Sequence, residues 1–120
     1  MAKYDMGDAI PLLRPGEEFV LYGYSYSGLE WRASTTKPTE AEINDKVTEL
    51  NNGEPMKLLR EERNKRLSET DWMANSDVTM TDAWKTYRQA LRDLPASSTP
   101  KLNSIYELDM TSVTWPTKPS

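Results

Sequence analysis

With 120 residues, 37% of them hydrophobic, and a mean hydropathy of -0.77, the chain has room for one ordinary domain or two small units and only a small core, so docking onto a larger partner is expected. Its 15 basic and 19 acidic residues leave a formal charge of -4, so no net field draws it to nucleic acid or an anionic membrane, and neither is expected as a partner. Cysteine and histidine are both absent, which removes disulfides, thiolate nucleophiles, zinc-thiolate sites and the commonest general base, and fits a reducing cytosol.

The N-terminus, MAKYDMGDAIPLL, carries no basic region followed by an apolar run, and no stretch approaches the length of a membrane span; a soluble chain without a secretion signal is expected. Pro11 and Pro15-Gly16 mark turns, so IPLLRPGEEF reads as a bent lead-in rather than a helix. Dense in aromatic and β-branched residues, EFVLYGYSYSGLEWR predicts a hairpin with strands over residues 19–26 and 29–32, joined at Ser27-Gly28. Phe19, Leu21 and Gly23 then share one face, and Val20, Tyr22, Tyr24 and Tyr26 the other. A lone hairpin is marginal in water, so one face needs a cover.

Thr39 and Glu42 form a T-x-x-E capping box, in which hydroxyl and carboxylate each satisfy a free backbone N–H at a helix start. Ile43, Val47 and Leu50 follow as a narrow apolar stripe, and Asn51-Asn52-Gly53 tolerates a left-handed stop, predicting a helix over 39–51 whose stripe covers the hairpin. Glu54-Pro55 restarts the chain. Met56, Leu59, Arg63 and Leu67 lie along one side of a second helix ending between Thr70 and Ala74, and REERNKR forms a solvated face. A third helix opens after Thr79 or Thr81, carries Trp84, Tyr87, Leu91 and Leu94 at helical spacing, and stops at Pro95. The short link folds the last two helices into an antiparallel αα-hairpin, with Leu59, Leu67 and Trp72 facing Trp84, Tyr87 and Leu91. In that arrangement the Trp72 ring plugs the joint, while Thr70 or Asp71 bonds free backbone groups there.

From Ala96 onward the composition turns to Ser, Thr and Pro with isolated apolar residues, which predicts an extended arm anchored by Val113 and Trp115. The fold class is therefore α+β: a β-hairpin plus helix unit over 1–53, a helical hairpin over 54–95, and an extended C-terminal arm over 96–120.

Patterns that carry chemistry are few. Asp71, Asn75, Asp77 and Asp82 have the spacing of calcium-loop positions, but Met73 stands where an oxygen is needed, Ser76 where a glycine makes the turn, and Asp82 is shorter than the bidentate Glu, so no metal is expected. Glu17-Glu18 and Glu61-Glu62 sit among other charges, and no glycine-rich phosphate loop occurs; neither a catalytic residue nor a cofactor is expected. Tyr22, Tyr24 and Tyr26 on one strand face are spaced like a stacking platform for a glycan or base, with packing on a helix or partner as the alternative.

From Arg60 to Pro95 the chain resembles the phage tail assembly chaperone family, in REERNKRLSETDW, the loop MANSD and YRQALRDLP, with Trp115-Pro116 near the end. The leading IPLLRPGEEFVLYGYSYSGLEW, followed by KPTEAEI, is more loosely similar to the small N-terminal units of XkdW-like phage tail proteins. The resemblance implies a non-enzymatic bacteriophage protein that binds a tail or tail-fibre subunit during virion tail assembly, in the host cytoplasm or on the particle. On that expectation Trp72, Trp84, Tyr87 and Leu91 of the helical hairpin, with Trp115 of the arm, cover an apolar patch of the subunit until docking replaces them. Arg88 and Arg92, one turn apart, pair either with carboxylates of that subunit or with Asp71, Asp82 or Asp93 of the same chain. A permanent virion component, such as a tail, baseplate or fibre adaptor, is the alternative function. A glycan-binding module using Tyr24 and Trp31 is a third, and a second copy of the chain is a further candidate partner.

Overall fold

In a computed structural model, which describes residues 2–75 and 78–119, the chain is α+β. Its elements are α1 (Met6–Leu13), β1 (Phe19–Leu21), β2 (Leu29–Trp31), α2 (Glu40–Ser68) and α3 (Asp82–Ser97), with single 3-10 turns at Tyr26–Gly28, Asp71–Ala74 and Met110–Ser112. Two compact units result, residues 1–54 and 55–120, and α2 contributes to each. Among the described residues no helix is long and apolar enough to cross a membrane.

In the first unit the segment expected as a bent lead-in is helical. Asp5 caps α1, its N–H donating to the Asp8 carboxylate at 3.0 Å. Pro11 forgoes one backbone bond, but Ala9 and Ile10 are both 0% exposed, and their burial outweighs that loss. Strands β1 and β2 pair antiparallel with Phe19 opposite Trp31 and Leu21 opposite Leu29. They are shorter than expected because Gly23 turns the chain at φ +79, leaving residues 22–28 as a loop. The Tyr22 N–H closes that loop on the Gly28 carbonyl at 2.8 Å, and a Cβ on Gly28 would stand 1.9 Å from the Tyr22 carbonyl oxygen. The three tyrosines therefore share no strand face: Tyr22 and Tyr24 are exposed, and Tyr26 turns inward to donate its hydroxyl to the Pro38 carbonyl at 2.8 Å. Ile43, Val47 and Leu50 pack with Ala9, Ile10 and Leu29, so the helix stripe covers the hairpin as expected.

The capping box forms, with the Glu42 N–H on Thr39 Oγ1 at 3.1 Å and the Thr39 N–H on the Glu42 carboxylate at 3.2 Å. The Thr39 hydrogen bonds, aided by Arg14, hold the Glu42 carboxyl below its ordinary pKa. Where a stop was expected at Asn51-Asn52-Gly53, α2 instead continues through Pro55 to Ser68. The polar residues there are occupied by the N-terminal segment. Asn51 grips the Tyr4 backbone with both arms of its amide, accepting from the N–H at 2.9 Å and donating to the carbonyl at 3.2 Å. Glu54, 2% exposed, accepts from Lys3 Nζ at 2.7 Å and from the Tyr4 hydroxyl, and that second bond raises the tyrosine's pKa. What reads as a helix terminator is a tertiary attachment point.

In the second unit, residues 55–68 of α2 and α3 run antiparallel: the Leu67 carbonyl meets Arg88, whereas Leu59 packs on Leu94. Thr81 caps α3, accepting from the Trp84 N–H at 3.4 Å, and the helix passes Pro95 to end at Ser97. The arm that follows is irregular. It holds one antiparallel bridge, Leu102 to Leu108, with Tyr106 at φ 62 near its tip, and it lays Val113 against Leu59 and Leu94.

Candidate partner-binding site

The joint between α2 and α3 is built on a buried cation. Where α2 ends, the Leu67 carbonyl, the Thr70 hydroxyl and the Asp71 carboxylate converge, all of them acceptors. Arg88, on the buried face of α3 and 6% exposed, answers all three. Its Nη1 donates to Leu67 O at 2.9 Å and to Thr70 Oγ1 at 2.5 Å, and its Nη2 to Asp71 Oδ1 at 3.0 Å. Thr70, 2% exposed, donates its own hydroxyl to Leu67 O at 3.1 Å. A fixed guanidinium fork suits this set as an indole cannot, since an indole offers a single N–H.

Trp72 accordingly does not plug the joint. It sits on the 3-10 turn Asp71–Ala74 and is 56% exposed. Thr70 does bond a free carbonyl, as expected, but Asp71 pairs with Arg88 rather than with the backbone. Trp84 is half-buried and meets Tyr87 edge-on, with centroids 5.8 Å apart and planes at 83°. Tyr87 and Leu91 are buried, and Leu91 is wholly covered. Arg92 is exposed, and among the described residues it forms no ion pair. Trp115 is half-buried beneath the Arg66 guanidinium, whose carbon lies 4.1 Å from the ring centroid. The seven residues thus divide into an outward set, Trp72, Trp84 and Arg92, and an inward set, Tyr87, Arg88, Leu91 and Trp115.

A comparison with protein families matches residues 56–120, the span of the second unit, to the family described as Phage tail assembly chaperone protein. The chain belongs to the phage tail assembly chaperone family. No curated protein and no solved structure matches it. The match begins beyond the front of the chain, so the likeness of that part to XkdW-like tail proteins gains no support from it.

Within the chaperone unit, Arg66 was not singled out by sequence reasoning, although it lies seven residues, or two helical turns, after Leu59 and so on the same face. That spacing was its signal, and the surrounding run of charges masked it. Asp109 organises the arm, accepting from the Thr111 N–H at 3.0 Å and from its hydroxyl at 2.6 Å, bonds that lower its pKa. The calcium-like spacing ending at Asp82 runs through Ser76 and Asp77, which lie outside the described residues; among those described, no three acidic side chains gather to hold a metal.

Proposed function

We propose that this chaperone-family chain is a non-enzymatic phage protein that binds a tail or tail-fibre subunit in the host cytoplasm, offering the outward side of the α2–α3 joint. The observation that carries this reading is the half-exposed Trp72 ring, fixed on a 3-10 turn that Arg88 ties to α3. An exposed indole on an ordered turn suits a binding anchor, because little conformational freedom is lost on contact. Trp84 adds a second aromatic surface, and Arg92 a cation able to pair with a carboxylate of the subunit. Tyr87, Arg88 and Leu91 support this surface from within. The rings shield an apolar patch of the subunit until its permanent neighbour replaces them.

Affinity capture of the tagged chain from infected cells, followed by mass spectrometry, tests this. A tail or tail-fibre protein is expected to be enriched, and to be lost when Trp72→Ser and Trp84→Ser are combined. Undiminished capture by that double variant overturns the reading. A second reading, a permanent virion component, is favoured by the first unit, which has its own core and lies outside the matched residues. A stoichiometric band in purified particles would select it over the transient role.

A further inference from the structure

Residues 101–119 are stitched to themselves rather than to the helices. The Asp109 N–H bonds the Lys101 carbonyl at 2.8 Å, the Lys101 N–H bonds Ser112 Oγ at 3.0 Å, and the Asn103 N–H bonds the Glu107 carbonyl at 2.8 Å. Among the described residues, no hydrogen bond joins this segment to α2 or α3. Its hold on them is side-chain packing: Val113, 6% exposed, between Leu59 and Leu94, and Trp115 under Arg66. The seat is also imperfectly satisfied. Among the described residues, neither the buried Trp115 Nε1 nor the buried Arg66 Nε has a hydrogen-bond partner, Arg66 reaching Glu62 only at an ion contact of 3.5 Å. Beside it an open depression of about 540 Å³ separates Ala83, Thr86, Tyr87 and Ala90 of α3 from residues 116–119. Small side chains on that stretch of α3 leave room for a backbone to approach.

We infer that the face of the helical pair under Val113 and Trp115 is a client site, and that the arm is its resident occupant, displaced by an extended client segment of like chemistry. The seated arm defines that chemistry. In extended chain, residues two apart point the same way, so an aliphatic residue, then an aromatic one two positions on, then proline, reproduces Val113-Thr114-Trp115-Pro116. A client that adds a carbonyl or carboxylate beside its aromatic residue also answers Arg66 Nε, which residues 101–119 do not. The inference rests on the chaperone reading above and locates a second contact for the same client, one that does not involve Trp72.

The test uses the full chain and, as probe, a fluorescent peptide of residues 107–119. With the arm in place, the site is open for only a fraction of the time, and apparent affinity falls by that fraction. Anisotropy titrations are expected to show the peptide binding a Val113→Ser, Trp115→Ala chain at least about tenfold tighter than the wild-type chain. A peptide carrying Trp115→Ala should bind neither. Equal affinity for the two chains, or no binding to the double variant while its circular dichroism remains helical, overturns the inference. If the double variant loses its helices, hydrogen exchange on the wild-type chain decides. Amides of residues 101–119 should exchange together, about tenfold or more faster than those of α3, and equal protection refutes displacement. A wild-type chain that dimerises with rising concentration would seat a second copy's arm there and also overturn the client assignment. Failure to capture any tail protein from infected cells, by contrast, leaves the peptide result standing, so the two readings fail separately.

Discussion

Replacing Arg88 with alanine tests the joint directly. The guanidinium donates to Leu67 O and Thr70 Oγ1 inside the fold and to Asp71 at its edge. Net contributions of hydrogen bonds from charged groups run about 1.5–3 kcal/mol each. The lower end applies to the two interior bonds, because Leu67 O keeps the Thr70 N–H and hydroxyl as donors after the arginine is gone. Asp71 has a side chain 63% exposed, and solvent screening brings its ion pair down to about 0–1 kcal/mol. The sum predicts a loss of about 3–4 kcal/mol for Arg88→Ala, which for a unit of this size lowers Tm by at least about 10 °C. Arg88→Lys should recover only part of it, since one ammonium cannot span the acceptors a planar fork reaches. Asp71→Asn should cost under about 1 kcal/mol. Urea unfolding followed by circular dichroism measures all three. A loss below about 0.5 kcal/mol for Arg88→Ala, or a larger loss for Asp71→Asn, would refute the view that a buried cation organises this end of the unit.

Four further outcomes follow from the same geometry. Gly53 lies inside α2 with open space where a Cβ would go, so Gly53→Ala should stabilise by about 0.5–1 kcal/mol; destabilisation in a thermal melt would mean that the helix stops there after all. Gly28→Ala should destabilise by about 1–3 kcal/mol, since its Cβ must push aside the Tyr22 backbone; an unchanged Tm contradicts the closed loop. The Tyr4 pKa is raised in the folded chain, so its contribution to stability is complete below the unfolded value near 10.0 and is lost as pH rises through the folded one; ultraviolet titration should show one tyrosine ionising late, and Glu54→Ala should abolish that delay. Glu42 is the reverse case, with a lowered folded pKa: its contribution is present above the unfolded value of 4.5 and fades as pH falls through the folded value, so Glu42→Gln should flatten the acid limb of a stability-against-pH curve.

Much of the architecture was legible because it follows from local pattern. The Thr39 box, the Ile43-Val47-Leu50 stripe, the Thr81 cap and the antiparallel return of α3 each rest on interactions between residues close in sequence or on a repeated apolar spacing. The misreadings share a cause in long-range polar contacts. Asn51, read as part of a helix stop, grips a backbone 47 residues away, and Glu54 binds residues of that same distant segment. Pro11 likewise signalled a break, but the burial of Ala9 and Ile10 decides the local structure. Periodicity says which side chains face inward; it does not say which distant partner will satisfy a polar group that faces inward with them.

The candidate site shows the same limit from the other side. Pattern alone marks Thr70-Asp71-Trp72 as a joint and gives the aromatic residue the structural role, because burying a ring is the larger single gain available to a small core. A helix end, however, gathers acceptors, and a buried one left unmet costs about 1–3 kcal/mol, comparable to the roughly 1.5–3 kcal/mol from a buried ring; here Thr70 already serves the Leu67 carbonyl, and the need left over is a donor for Thr70 Oγ1 and Asp71. Arg88 meets that need with two donors aimed inward and one outward, which leaves the indole no role in closing the joint. Once the cation holds the turn, Trp72 is at once dispensable to the fold and fixed in position. Those two conditions together are what a binding anchor requires, because a residue needed for stability is buried and a residue on a loose loop loses entropy when it is captured. Under the proposed binding role, an inward Arg88 and an outward Trp72 separate two effects: removing the cation should weaken both fold and capture, whereas removing the ring should weaken capture alone.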